Sequence, residues 1–171
     1  LGLIKNHEGD ASIYKKNRSN QIKKIKNYKL QHQMSYIPQD GYIYDETILW
    51  NLFPFHQNYN IRLNEIDNIL KLLELEELIE KLPKKLMTIC KDNGKIFSGG
   101  QKQRILIGRG LLRKKPYLFA DEITNSLNKD LASRVIKKII SYQKQKDASF
   151  ILITHDESLL GLFDQVFLMG K

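Results

Sequence analysis

Cysteine is nearly absent from this sequence: Cys90 stands alone among 171 residues. That excludes an internal disulfide and fits a reducing compartment, with Cys90 itself read as a small, partly buried side chain. Long apolar runs are missing too, and none approaches the ~20 residues that a membrane-crossing helix requires. Leu1–Glu8 lacks a basic start followed by an apolar stretch, so no secretory signal is expected there. Leu1 is not a Met, and the chain is expected to begin mid-domain. There is no internal repeat, no low-complexity tract and no long run of coiled-coil heptads. Acidic residues are outnumbered, 19 against 28 Lys and Arg, which leaves a net charge of +9. A charge of that size suits nucleic acid or an anionic membrane surface. The lysines are scattered, however, and the densest run, Lys15–Lys29, has no interleaved aromatics for bases to stack on. It reads as a solvated face, and nucleic acid is not expected as a partner.

The remaining composition, 42% hydrophobic and 27% charged, is that of a globular protein with a real core. Residues Ala11–Tyr14 and Met34–Ile37 read as short strands joined by a polar connector. From Leu63 the period becomes helical: Ile66, Ile69, Leu70 and Leu73, then Leu75, Leu78, Ile79 and Leu82, closed by Pro83. Thr47–Lys95 therefore reads as a helical insert. After Ser98 helices and strands alternate. "YLFA" (Tyr117–Ala120) and "FILI" (Phe150–Ile153) are apolar throughout, as strands buried on both faces are. Between them Leu131, Val135, Ile139 and Tyr142 form one helical stripe. This predicts a parallel strand pair with a right-handed crossover. "QVFLM" (165–169) reads as a last strand. The fold class is α/β, with a helical excursion.

Open α/β sheets bind ligands outside the carboxyl ends of their strands. Four polar groups fall there. Asp121 and Glu122 follow "YLFA", His155 follows "FILIT", and Gln39 follows "SYIP". A carboxylate at a strand end suits Mg²⁺, which keeps much of its water and takes one or two carboxylates plus phosphate. An adjacent Glu is placed to orient or deprotonate a water attacking a phosphoryl group. A His there could donate to a γ-phosphate oxygen, and a Gln could meet the metal or the water. Taken singly, each has a plain alternative. Asp-Glu fits an exposed turn, and His155 fits a polar loop residue. Gln39 alone carries no signal. Their shared sheet edge is the informative feature. Upstream, Ser98-Gly99-Gly100 precedes a helix. Ser is a favoured cap, and two glycines let backbone N–H groups approach an anion at a positive helix end. Alone, that stretch reads as a flexible corner before a helix.

Together these segments resemble the ATP-binding-cassette (ABC) ATPases. "FSGGQKQR" is similar to the family's signature motif, and "YLFADE" to its Walker B strand with the adjacent Glu. "SYIPQD" resembles the Q-loop, "ITNSLN" the D-loop and "ILITHD" the switch-histidine loop, in the family's order over nearly the whole chain. "KLPKKLMTICKDNGKIFSGGQ" and "DGYIYDETILWNLF" most resemble exporter-type nucleotide-binding domains. The resemblance implies a P-loop NTPase (RecA-like) parallel-sheet core with an inserted α-helical subdomain. Residues 1–46 and 98–171 would form the core, truncated at its N-terminus, and 47–97 the helical subdomain. ATP and Mg²⁺ would be bound. By the same resemblance Asp121 and Gln39 meet the metal, Glu122 is the general base, and His155 contacts the γ-phosphate. Ser98, Gly99, Gly100 and Gln101 would close over ATP held by the opposite subunit of a head-to-tail dimer. Residues 40–53 would contact a transmembrane domain at the cytoplasmic face of a membrane. Tyr42, Tyr44, Trp50 and Phe53 are candidates for that contact and equally for the core.

The chain also departs from the family pattern. No G-x-x-x-x-G-K-[ST] occurs in it, and "LGLIKNHEGDASIY" resembles the stretch just past that Walker A loop. Without the loop's N–H cradle and Lys, this chain alone is expected to be inactive. Asn128 stands at an Asp position of the D-loop, and Phe97 at a Leu position. Gly108 and Gly110 stand where Ala is common, each at about 1 kcal/mol if interior. Ile123 and Asn125 depart as well. The competing functions are a soluble ABC-type ATPase acting on nucleic acid or ribosomes, and a non-catalytic remnant or interaction module.

Overall fold

In the computed structural model the described residues are 32–54 and 63–168, with the backbone of 14–16 and 22–24. Leu1–Met34 forms one compact unit and Ser35–Lys171 another. In the first, β1 (Tyr14–Lys16) pairs antiparallel with β2 (Ile22–Lys24), Tyr14 opposite Lys24. Of the strand expected at Ala11–Tyr14, only Tyr14 lies among the described residues. The polar connector between the two expected strands holds β2. Local pairing satisfies backbone groups in a polar sequence that offers no apolar pattern to read.

The second unit is built on a three-stranded sheet, in the order β3 (Met34–Ile37), β4 (Tyr117–Asp121), β5 (Ser149–Ile153). β4 and β5 run parallel, with Asp121 opposite Ile153. The expectation that these strands are buried on both faces does not hold. Leu118 and Ala120 are buried, but Ile151 is 41% and Ile153 52% exposed. An all-apolar strand reports what could be buried. Burial itself needs a covering layer, and among the described residues helices cover one face.

α1 (Ile48–Leu52) starts on Thr47, whose hydroxyl accepts the Trp50 N–H. α2 (Leu63–Leu72) and α3 (Glu76–Glu80) carry the helical stripe, and Ile66, Ile69, Leu70, Leu73, Leu75 and Ile79 are all buried. The ends of this region are tied together: Ile48 N donates to Thr88 O and Cys90 N to Glu46 O. α4 (Gly99–Leu112) packs on α1 and α2. α5 (Lys129–Gln145) starts on Asn128, which accepts the Leu131 N–H, and buries Val135, Ile136 and Ile139. A 3₁₀ turn, Glu157–Leu162, follows β5. The last strand expected at 165–169 is not formed at 165–168, and Met169 lies outside the described residues. Phe167 and Leu168 are more than four-fifths exposed. An apolar run becomes a strand only where a sheet edge accepts its backbone, and among the described residues these four pair with none.

Several long-range polar contacts fix the helices. Arg104 on α4 donates to the carbonyls of Leu73 and Glu74 at 3.0 and 2.8 Å, tying the bend after α2 to α4. Glu74 adopts a left-handed φ of 55° and pairs with two residues of α5, Arg134 at 3.1 Å and Lys138 at 2.8 Å. Hydrogen bonds from these two cations hold the Glu74 carboxyl down at about 2. Cys90 is fully buried, and that burial pushes its thiol up to about 11. It is an inert core residue.

Candidate active site

Four of the sequence-derived candidates stand at one edge of the sheet. Asp121 ends β4, and Tyr36 of the neighbouring strand β3 donates its hydroxyl to Asp121 Oδ2 at 3.0 Å. Desolvation and that hydrogen bond hold the Tyr36 phenol above its ordinary value. Glu122 follows directly with φ 46°, a left-handed conformation rare outside glycine. Its N–H donates to Ile153 O at 2.9 Å, so the end of β5 holds the turn in place. The kink directs its carboxylate toward residues from three segments. Gln39 Nε2 donates to Oε2 at 3.4 Å, Asn125 Nδ2 donates to the same oxygen, and His155 Nε2 lies 2.8 Å from Oε1. The His155 side chain is 89% exposed and that of Glu122 only 17%, so the carboxylate sits at the bottom of a polar edge open on the imidazole side.

Ser98, Gly99, Gly100 and Gln101 form a second group. Among the described residues, no hydrogen bond or ion pair joins them to the first. Ser98 Oγ accepts the Gln101 N–H at 3.3 Å, and Gln101 Oε1 accepts the Ser98 N–H at 2.9 Å. This is a capping box, and it commits the Gln101 side chain to the start of α4. Gly100 is required sterically, because a Cβ there would lie 2.8 Å from the Ser126 carbonyl oxygen. The glycine corner is thus seated against the loop between Glu122 and α5.

The segment 40–53 divides. Phe53 is buried, while Tyr42 and Tyr44 are about half exposed. Tyr42, Tyr44 and Trp50 stack edge to face with centroids 5.3 and 5.2 Å apart. Arg109 of α4 lies over the Tyr44 ring at 5.3 Å and donates to Tyr42 O, Asn51 O and Asn51 Oδ1. Asn51 is fully buried and also bonds the backbone of Tyr44, Glu46 and Thr47. The result is a stiff aromatic shelf on the surface. Tyr36, Asn51, Arg109 and Asn125 were not found as functional candidates by sequence reasoning. Tyr36 left a signal as the one aromatic of its short strand, and Asn125 only as a departure from the family pattern.

This edge brings together a terminal strand carboxylate, a second carboxylate beside it, and an imidazole and an amide on that second carboxylate. The ABC transporter family matches residues 1–125 of the chain. The microcin-J25 export ATP-binding/permease protein McjD of Escherichia coli is 34% identical over 170 residues, covering 99% of this chain and 28% of that protein. The ATP-dependent lipid A-core flippase of Pectobacterium atrosepticum is 31% identical over 140 residues, 82% of this chain and 24% of that protein. Among solved structures, a bacterial Atm1-family ABC exporter with ATP bound superposes with a TM-score of 0.69 at 25% identity, covering 78% of this chain and 23% of that one. The chain spans about a quarter of the length of these relatives. No helix among the described residues is long and apolar enough to cross a membrane. Motif order, sheet-edge geometry and these matches agree: the chain belongs to the ABC transporter family.

Proposed function

We propose that this chain is the ATP-binding and ATP-hydrolysing part of an ABC exporter, working at the cytoplasmic face of a membrane. The observation that carries this reading is the convergence of Gln39 and His155 on the Glu122 carboxylate, with Asp121 adjacent. Glu122 accepts the proton of the water that attacks the γ-phosphorus. His155, on the exposed side, donates to the γ-phosphate oxygens as charge develops on them. Gln39 orients the water and reports the state of the site to the segment that follows it.

Among the described residues no cluster of three or more His, Cys, Asp or Glu could cage a metal. Mg²⁺ takes few protein ligands when phosphate oxygens complete its shell. Asp121 and the Gln39 amide are the groups that would hold it. When bound, the ion neutralises charge on the β- and γ-phosphate oxygens.

Ser98, Gly99, Gly100 and Gln101 serve the ATP of a second, head-to-tail copy. Support comes from the capping box, which fixes a helix N-terminus beside two glycines. The shelf of Tyr42, Tyr44 and Trp50 contacts the transmembrane domain, with residues 47–97 acting as the helical subdomain between core segments 1–46 and 98–171. The test is Mg-ATP turnover by the full-length polypeptide carrying this chain, against its Glu122→Gln variant. Glu122→Gln should lose hydrolysis, by at least a hundredfold, and accumulate an ATP-bound dimer on gel filtration. Wild-type turnover in that variant would overturn the assignment.

A further inference from the structure

The Glu122 carboxylate has one partner for which the reaction scheme gives no role. Asn125 donates its side-chain N–H to Glu122 Oε2, the oxygen that Gln39 also bonds. Its backbone N–H also donates to the Glu122 carbonyl at 3.3 Å. One residue thus grips both the main chain and the carboxylate of Glu122, at a position whose φ of 46° a non-glycine residue rarely holds unaided.

We infer that Asn125 is a positioning residue for Glu122. It ties Oε2 to the loop and leaves Oε1, on the His155 side, as the oxygen that meets the reacting water. The division of labour follows from the donors. Oε2 receives two amide N–H groups, from Gln39 and Asn125, whereas Oε1 faces only the exposed imidazole. An amide suits this task. It donates without carrying charge, so it holds the carboxylate without neutralising it, and from three residues along the chain it reaches Oε2.

This inference rests on Glu122 being the base, and the experiment separates the two claims. Steady-state ATPase kinetics and thermal unfolding are measured on the full-length polypeptide with Asn125→Leu, Asn125→Asp, Asn125→Ser and Glu122→Gln. Losing a hydrogen bond to a charged group should lower kcat of Asn125→Leu about tenfold or more. KM for ATP should stay within about twofold. Asn125→Asp keeps the shape but loses the donor and adds a like charge, so its kcat should fall further. Asn125→Ser retains a donor on a shorter stem and should recover part of the loss. If Asn125→Leu does not fold, the Asp and Ser variants carry the comparison alone. Wild-type kcat in Asn125→Leu or Asn125→Asp, beside an inactive Glu122→Gln, removes the role of Asn125 alone. So does an equal fall in all three variants that tracks a lowered unfolding temperature. An active Glu122→Gln removes the base assignment, and the positioning role with it.

Discussion

At the residue scale, Glu74 shows how a single side chain can join two parts of the fold. It sits in the left-handed bend between α2 and α3 and takes Arg134 and Lys138 from α5. Its carboxyl is depressed from 4.5 to about 2. A depressed carboxylate adds stability that is fully present above its unfolded value near 4.5 and is lost as pH falls through about 2. The side chain is 30% exposed, and solvent screening cuts the contribution to about 1–2 kcal/mol. Glu74→Gln should therefore be less stable by that amount at pH 7, as measured by urea unfolding. The gap should close as the titration moves from pH 4.5 toward 2. A gap that persists undiminished at pH 2 would show that the loss is one of shape and not of charge.

At the element scale, α4 is the helix on which both the signature corner and the core depend. Its first turn is capped by Ser98, its later turns fill the core with Ile105, Ile107 and Leu112, and Arg104 and Arg109 reach out to neighbouring segments. Its glycines permit close approach: a Cβ at Gly108 would lie 2.8 Å from Leu52 Cδ2, and one at Gly110 2.6 Å from Ile37 Cγ1. Those two contacts are with side chains, whereas Gly100 meets a backbone carbonyl that has less room to move. Gly100→Ala should destabilise the chain by about 1–3 kcal/mol despite alanine's better helix propensity. Equal or higher stability on chemical unfolding would contradict this close packing. Elements of this kind were legible in the sequence where a local pattern carries them. Ser98 before two glycines announces a capped helix, and the stripe of Leu131, Val135, Ile139 and Tyr142 announces α5. The turn at Glu122 was legible only as two adjacent carboxylates after a strand. Its left-handed twist depends on Ile153, far along the chain. The missing strand at 165–168 fails for the same reason, since pairing is decided by a neighbour and not by the run itself.

At the scale of the whole molecule, the site is a product of topology. β3 and β4 are adjacent in the sheet although about 80 residues separate them, and that adjacency sets Tyr36 on Asp121 and Gln39 on Glu122. β5 then brings His155 to the same carboxylate. The motif order identified these positions, while their contacts required the sheet order, which no local pattern encodes. Asn51 and Arg109, 58 residues apart, stiffen the aromatic shelf in a way equally hidden from the sequence. The most direct test of the account is a structure of the full-length Glu122→Gln polypeptide with Mg-ATP. The γ-phosphate should lie within hydrogen-bond distance of His155, with Asp121 and Gln39 beside the metal and Ser98–Gly100 of a second copy on the same nucleotide. A nucleotide bound away from that sheet edge, with these side chains facing solvent, would contradict it.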